Sequence, residues 1–342
     1  MSSRPTQPLA RPAAACVVPV YEASDVSYVI KLIPIRRKEE LADRFGAHTP
    51  YEVKSDVYGC CIKLLTDTQS VAARWGQSFY FMSQNIRSHG RLYVVNGPGQ
   101  AKNEVCYDAQ SKTAFLLNFD YYGWIKSLAL SVAGDVLEDE HDIYSLHGAC
   151  LDVNGQGLCI LGESGAGKTT HTYGLLRRPE VRVVSDDWFF ARVYGPDILA
   201  YGSEKNFYIR ADLAKIWSEF AWLVERAEFD GQDRAVVDLR LAIGKGRILP
   251  LTTLKKLIIL KRDASDPEFV RELTAAQALA ILERHDYFNP HLLVSTPFKR
   301  KLRKAFFAAL LERVRAYEVN TTGQPEQSQT RIRDIIFPGA TL

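Results

Sequence analysis

The sequence predicts an α/β fold, with a mixed sheet built around a glycine-rich phosphate loop (P-loop) and a β-rich N-terminal region before it. Three observations predict this. The run Gly162-Glu163-Ser164-Gly165-Ala166-Gly167-Lys168-Thr169 matches G-x-x-x-x-G-K-[ST] and lies between an apolar stretch, Leu158-Cys159-Ile160-Leu161, and a helical pattern over 170–177. Asn154-Gly155 and Gly195-Pro196-Asp197 each separate two apolar runs, which signals hairpins and hence antiparallel strands beside the loop. Short apolar or aromatic runs over 16–20, 28–34, 59–65, 78–82, 92–95 and 114–119 alternate with polar or glycine-containing segments, a strand-like pattern.

The elements follow in order. Residues 1–15 are rich in Pro, Ser and Ala and lack an apolar core of signal-peptide length, so a disordered tail is expected. The strand-like region 16–140 ends in a helix over 121–138, where Ile125, Leu128, Val132 and Val136 recur at helical spacing. Glu138-Asp139-Glu140 then reads as a solvated connector. From residue 141 to 342 a second region is expected to hold the chemistry. It opens with strands over 146–153 and 157–161 around Asn154-Gly155. The loop and its helix follow, then a strand over 181–185 ending in Asp186-Asp187. A second hairpin spans 189–201, a helix 213–224 and a buried strand 255–261. Thr274 and Gln277 form a capping box for a helix ending near Arg284. A last helix is expected over 297–317. Its basic residues Lys299, Arg300, Lys301, Arg303 and Lys304 read as a solvated face opposite Phe306, Leu310 and Val314.

Composition narrows the function. A net charge of +3 is too small for a nucleic-acid footprint, so no nucleic-acid partner is expected. No stretch approaches the roughly 20 apolar residues that span a bilayer, so no membrane partner is expected either. The cysteines at 16, 60, 61, 106, 150 and 159 form no C-x-x-C pair, and Cys150 and Cys159 sit in apolar runs. They read as core residues in a reducing cytoplasm.

The chemistry-bearing residues cluster around the loop. Its glycines let backbone N–H groups turn toward phosphate oxygens, and the helix that follows adds the positive end of its dipole. Gly162 to Thr170 is thus the expected nucleotide cradle, with Glu163, Ser164, Gly165, Ala166 and Gly167 lining it. Lys168 reaches the outer phosphates and Thr169 places a hydroxyl on Mg²⁺. Asp186 and Asp187 end the next strand, where one carboxylate can hold a metal while its neighbour accepts a proton. Gly244-Lys245-Gly246-Arg247 is a basic, glycine-flanked loop suited to closing over a phosphoryl group. Glu204-Lys205-Asn206 with Tyr208 and Arg210 is a dense polar patch. His147 precedes the first hairpin, His141 reads as solvent-facing, and His171, just past the loop, is placed equally to lie near the phosphates or to pack against the sheet.

Leu146-His147-Gly148-Ala149-Cys150-Leu151-Asp152-Val153, the phosphate loop and Val183-Val184-Ser185-Asp186-Asp187, in this order and spacing, resemble the catalytic domain of bacterial HPr kinase/phosphorylase. That family shares a nucleotide-binding fold with the phosphoenolpyruvate carboxykinases. The resemblance covers roughly 145–260. It implies Asp186 as general base, Thr169 and Asp187 on the metal, and His147 in the active site as a catalytic neighbour or a metal ligand. Lys245 and Arg247 resemble the basic mobile loop of the kinases. Val319-Asn320-Thr321 and Thr330-Arg331 resemble segments that contact nucleotide in carboxykinases, and Lys126 is a candidate for a carboxykinase-type substrate lysine.

The expected activity is an ATP-dependent kinase using ATP and Mg²⁺, with a serine or other hydroxyl of a protein or peptide as acceptor. A kinase or carboxykinase-like enzyme for a small molecule is the alternative, followed by a non-catalytic nucleotide-binding module. HPr kinases assemble as hexamers, so a homo-oligomer is among the states the resemblance admits. The region before residue 140 does not resemble their regulatory domain.

Overall fold

A computed structural model describes residues 28–97, 99, 101–231 and 233–338. The expected tail over 1–15 and strand over 16–20 lie outside the described residues. The fold is mixed α/β, with two large mixed sheets and a small two-stranded ribbon.

The first sheet has seven strands in the order β1-β6-β7-β5-β3-β2-β4. These are β1 (Val29–Leu32), β2 (Tyr51–Val57), β3 (Cys60–Thr66), β4 (Tyr80–Phe81), β5 (Gly90–Val95), β6 (Glu104–Asp108) and β7 (Thr113–Leu117). Two helices, α1 (Ile35–Gly46) and α2 (Gln69–Ser78), interrupt the strands, and α3 (Tyr122–His141) follows them. The region is therefore α/β where the sequence pattern predicts mainly strands. In α1 the apolar residues are sparse: only Leu41 and Phe45 are buried, too few to register as periodicity.

Helix α3 is buried on nearly all sides, as an apolar-all-round helix must be. Its Ile125, Leu128 and Val132 share one core cluster with Ile62 and Leu92 of the first sheet and with Trp188 and Phe190 of the second. It is thus a layer between the sheets. Its C-terminal end corrects the sequence expectation. Glu138 and Asp139 are paired rather than simply solvated, as are Lys299 and Arg303. Lys299 Nζ lies 3.1 Å from Asp135 and 3.4 Å from Glu138, and it also pairs with Asp139. Arg303 pairs with Glu138 at 3.0 Å, and Lys112 with Asp135 at 2.6 Å. Burial pushes the Glu138 carboxyl up despite Arg303 and Lys299 beside it.

The second sheet has nine strands. They are β8 (Tyr144–His147), β9 (Ala149–Val153), β10 (Gln156–Gly162), β11 (Val181–Ser185), β12 (Trp188–Tyr194), β13 (Asp197–Gly202), β16 (Leu251–Lys261), β17 (Val270–Leu273) and β18 (Arg315–Asn320). The ribbon pairs β14 (Phe207–Arg210) with β15 (Arg234–Val237). Helices α4 (Lys168–Leu176), α5 (Leu213–Ile216), α6 (Ala221–Glu225), α7 (Leu239–Ile243), α8 (Ala275–Arg284), α9 (Pro297–Leu311) and α10 (Pro325–Ile336) complete the chain. The capping box on α8 forms as the sequence predicts. The last predicted helix ends early: α9 stops at Leu311, and 315–320 pairs with β16 as a parallel strand.

One glycine shapes the site. The sequence reads 146–153 as a single strand, but the chain changes neighbours at Gly148. His147 pairs with Trp188 on β12, while Ala149 pairs with Ile160 on β10. A Cβ at Gly148 would stand 2.4 Å from the Ile160 carbonyl oxygen, so only glycine allows this approach. The divergence leaves His147 at the mouth of the gap into which β10 and β11 point their C-terminal ends.

Candidate active site

The loop from Gly162 to Thr169 leaves β10 and enters α4 at Lys168. Gly165 (φ 79°) and Gly167 (φ 101°) are left-handed, a conformation that side chains resist. Lys168 Nζ donates to the carbonyls of Gly162 at 2.7 Å and Glu163 at 3.0 Å. Two outside contacts brace the loop. Thr321 Oγ1 donates to the Ala166 carbonyl at 2.9 Å, and His285 Nδ1 lies 2.8 Å from Glu163 Oε1.

The loop forms one wall of a cleft of about 1130 Å³ that also takes in Lys126, His147, Asp186, Asp187 and Tyr208. Lys126, on α3, is almost wholly buried. Its Nζ donates to Asp187 Oδ2 at 2.8 Å, lies 2.8 Å from Glu204 Oε1, and stands 4.3 Å from the Tyr208 ring centroid. Neither Glu204 carboxylate oxygen has a well-aligned hydrogen-bond donor, so that contact is an ion pair off the hydrogen-bond axis. Asp186 Oδ2 accepts the backbone N–H of Tyr208 at 2.9 Å.

The two neighbouring carboxyls are pushed in opposite directions. Burial raises Asp186 well above the usual carboxylate range, reinforced by the charges of Asp187 and Glu204. Burial also works to raise Asp187, but the Lys126 ammonium and the His147 ring outweigh it and hold Asp187 well below that range. Glu204 is pushed up to about 7 by burial, against the pull of Lys126. Lys126 is held above its ordinary value, because Asp187 and Glu204 outweigh the burial that acts to lower it.

His147 is oriented by the backbone. Its Nδ1 lies 2.9 Å from the Phe288 carbonyl, which can only accept, so Nδ1 carries a proton. Nε2 then faces Asp187 Oδ1 at 3.4 Å. Such a pair is satisfied by a proton on Nε2 or by a cation between the two atoms. Phe288 closes a turn in which Asp286, Tyr287 and Phe288 all have positive φ, at 47°, 57° and 56°. Non-glycine residues in this region cost on the order of 1–3 kcal/mol each, and only a surrounding structure that over-determines them keeps them there.

The donor set fits a magnesium ion. Asp187 offers an ionised carboxylate and Thr169 a hydroxyl at the head of α4, oxygen donors of the kind that a magnesium ion takes. Among the described residues no cluster of three or more His, Cys, Asp or Glu side chains forms a metal cage by itself.

Of the predicted residues, the cleft gathers Gly162 to Thr170, His147, Asp186 and Asp187, but not Lys245 and Arg247. This corrects the basic-loop expectation. Arg247 lies behind β11, where its guanidinium donates to the carbonyls of Val181, Leu176 and Arg178. His171 is buried with Nδ1 2.8 Å from Gln329 Oε1, and burial lowers its pKa. Thr321 reaches the loop, whereas Arg331 stacks on Phe269 at 3.8 Å and does not line the cleft. Sequence reasoning missed Arg234, Arg262, Arg284 and His291, all of which line it.

No family model matches the chain. A 133-residue segment is 32% identical to the phosphoenolpyruvate carboxykinase (ATP) of Aeropyrum pernix, a match covering 35% of this chain. The matched part spans about a quarter (26%) of that relative's length. Among solved structures, the Hpr(Ser) kinase/phosphatase from Coxiella burnetii aligns over 56% of this chain and 95% of its own, at 12% identity and a TM-score of 0.33. Over that 133-residue segment, this chain is similar to a phosphoenolpyruvate carboxykinase (ATP).

Proposed function

We infer that this chain is an ATP-dependent phosphotransferase of the HPr kinase type, which moves the γ-phosphoryl group of ATP to a hydroxyl. The observation that carries this reading is the divergence of two adjacent carboxyls at the end of β11, beside a glycine-rich loop. Environments that push two acids apart assign their roles. Asp186, raised, is the proton acceptor, because a base works best with its pKa near the operating pH. Asp187, held ionised, is the metal ligand together with Thr169.

The loop N–H groups and Lys168 hold the triphosphate in line with the acceptor. As the hydroxyl oxygen bonds to the γ-phosphorus, its proton passes to Asp186. The bond between the γ-phosphorus and the bridging oxygen breaks, and ADP leaves with that electron pair. Lys126 keeps Asp187 ionised and adds positive charge beside the reacting groups, a part expected from Lys245 and Arg247 on sequence alone. A magnesium ion at Asp187 and Thr169 supplies neutralisation of phosphate charge.

One observation favours the small-molecule alternative over a protein acceptor. Asp186 lines the cleft and is only 5% exposed. A hydroxyl on a compact molecule reaches it more readily than a serine on a folded surface. Calorimetry with ATP and Mg²⁺ tests the shared premise: wild type binds and Lys168→Ala binds at least tenfold more weakly, whereas equal affinity refutes the assignment of the loop.

A further inference from the structure

The ribbon of β14 and β15 has two unlike faces. Phe207, Ile209, Ala235 and Val237 point into the core cluster that holds Tyr173 and Leu213. The alternating residues Tyr208, Arg210 and Arg234 line the cleft, which Ile209 also borders. Arg210 and Arg234 are direct cross-strand partners. Like charges placed opposite each other disfavour the ribbon.

The carboxylates nearby do little to offset this charge. Arg210 has Asp212 at 3.6 Å, with both side chains more than half exposed. The Arg234 guanidinium donates to the Tyr121 hydroxyl at 2.9 Å, and the Asp230 carboxylate accepts the Arg234 backbone N–H at 3.1 Å. Two other cations of the cleft are committed: Lys126 to Asp187 and Glu204, Lys168 to the loop carbonyls. The arginine pair also lies on the acceptor side. Tyr208, two residues before Arg210, donates its N–H to Asp186, and Tyr121 lies just before α3, the helix that carries Lys126. The Tyr208 hydroxyl beside them is buried without a hydrogen-bond partner.

We propose that Arg210 and Arg234 form an anion subsite for the acceptor, which is a small hydroxyl compound carrying a carboxylate or a phosphate. This rests on the kinase reading above and names its substrate class. The anionic group docks on the two guanidinium groups, and the hydroxyl is thereby carried to Asp186. The subsite itself makes and breaks no covalent bond.

The test is calorimetry on the full chain with Mg²⁺ and a non-hydrolysable ATP analogue. D-glycerate supplies the carboxylate, β-glycerophosphate the phosphate, and glycerol is the uncharged control. At least one anion binds and glycerol does not; which anion binds identifies the group. Arg234→Gln and Arg210→Gln each weaken that binding by about tenfold or more, the usual worth of a charge-assisted contact. Binding of the ATP analogue shows that each variant is folded. Binding of neither anion, equal binding of glycerol, or anion binding unmoved by both substitutions overturns the proposal. So does efficient transfer to a folded protein in both arginine variants. If the ATP analogue itself fails to bind wild type, the kinase reading fails, and anion binding measured without nucleotide still decides the subsite.

Discussion

Lys126 and Asp187 stand 61 positions apart in sequence and meet at 2.8 Å in the cleft. The ammonium arrives on a helix sandwiched between two sheets, and the carboxylate on the bend between β11 and β12 of the second. This pair keeps Asp187 ionised while its neighbour Asp186 is driven the other way.

Removing one partner of a buried pair leaves the other uncompensated. Lys126→Met therefore lowers stability by about 3–5 kcal/mol and raises the Asp187 carboxyl toward the range of Asp186. Denaturant unfolding measures the first effect. Weaker Mg²⁺ dependence of nucleotide binding reports the second.

Glu204 gives a pH signature. Its folded pKa of about 7 lies above its ordinary value of 4.5. Between these values the folded state holds a proton that the unfolded state has released. The stabilising contribution is therefore full below about pH 4.5 and is lost as pH rises toward 7. In Glu204→Gln this loss disappears. Thermal melts of both proteins from pH 4.5 to 7.5 should show the mutant gaining relative to wild type as pH rises, by up to roughly 3 kcal/mol. A constant difference across that window contradicts the assignment.

The base also has a pH signature. Because Asp186 is raised, the fraction able to accept a proton falls as pH drops through a value well above the ordinary carboxylate one. The acid limb of kcat/KM should lie correspondingly high. A limb near pH 4 would mean that some other group accepts the proton.

Lys299→Met tests the ionic layer between α3 and α9. It leaves Asp135 and Asp139 to share Lys112 alone and Glu138 to pair with Arg303 alone, and it should cost about 3 kcal/mol in denaturant unfolding. A loss below 0.5 kcal/mol would fit the solvated helix face that the sequence alone predicts.

These cases also show what was legible in the sequence. The loop, the Asp pair and His147 could be read because their chemistry is local: glycines at fixed spacing, carboxylates ending an apolar run, a histidine before a tight hairpin. The hairpins at Asn154-Gly155 and Gly195 to Asp197 were legible for the same reason. Lys126 was only weakly so, since one lysine in an apolar helix gives no hint of a partner 61 residues away. A cation inside a helix that is apolar on every side is nevertheless the signal that marks it. Lys299 and Arg303 were read as solvent-facing because charge suggests exposure, and their acidic partners lie on a distant helix. The strand at 315–320 was hidden because Leu310, Val314 and Tyr317 continue a helical spacing past the real end of α9. Arg247 looked mobile from its flanking glycines, yet three backbone carbonyls hold it.

The most direct test of the central claim compares Asp186→Asn with wild type in Mg–ATP binding and in phosphoryl transfer to the acceptor. The mutant should bind Mg–ATP within about threefold of wild type, while transfer falls by about 10²-fold or more, the usual contribution of a general base. Transfer at the wild-type rate by a mutant that still binds Mg–ATP would contradict it.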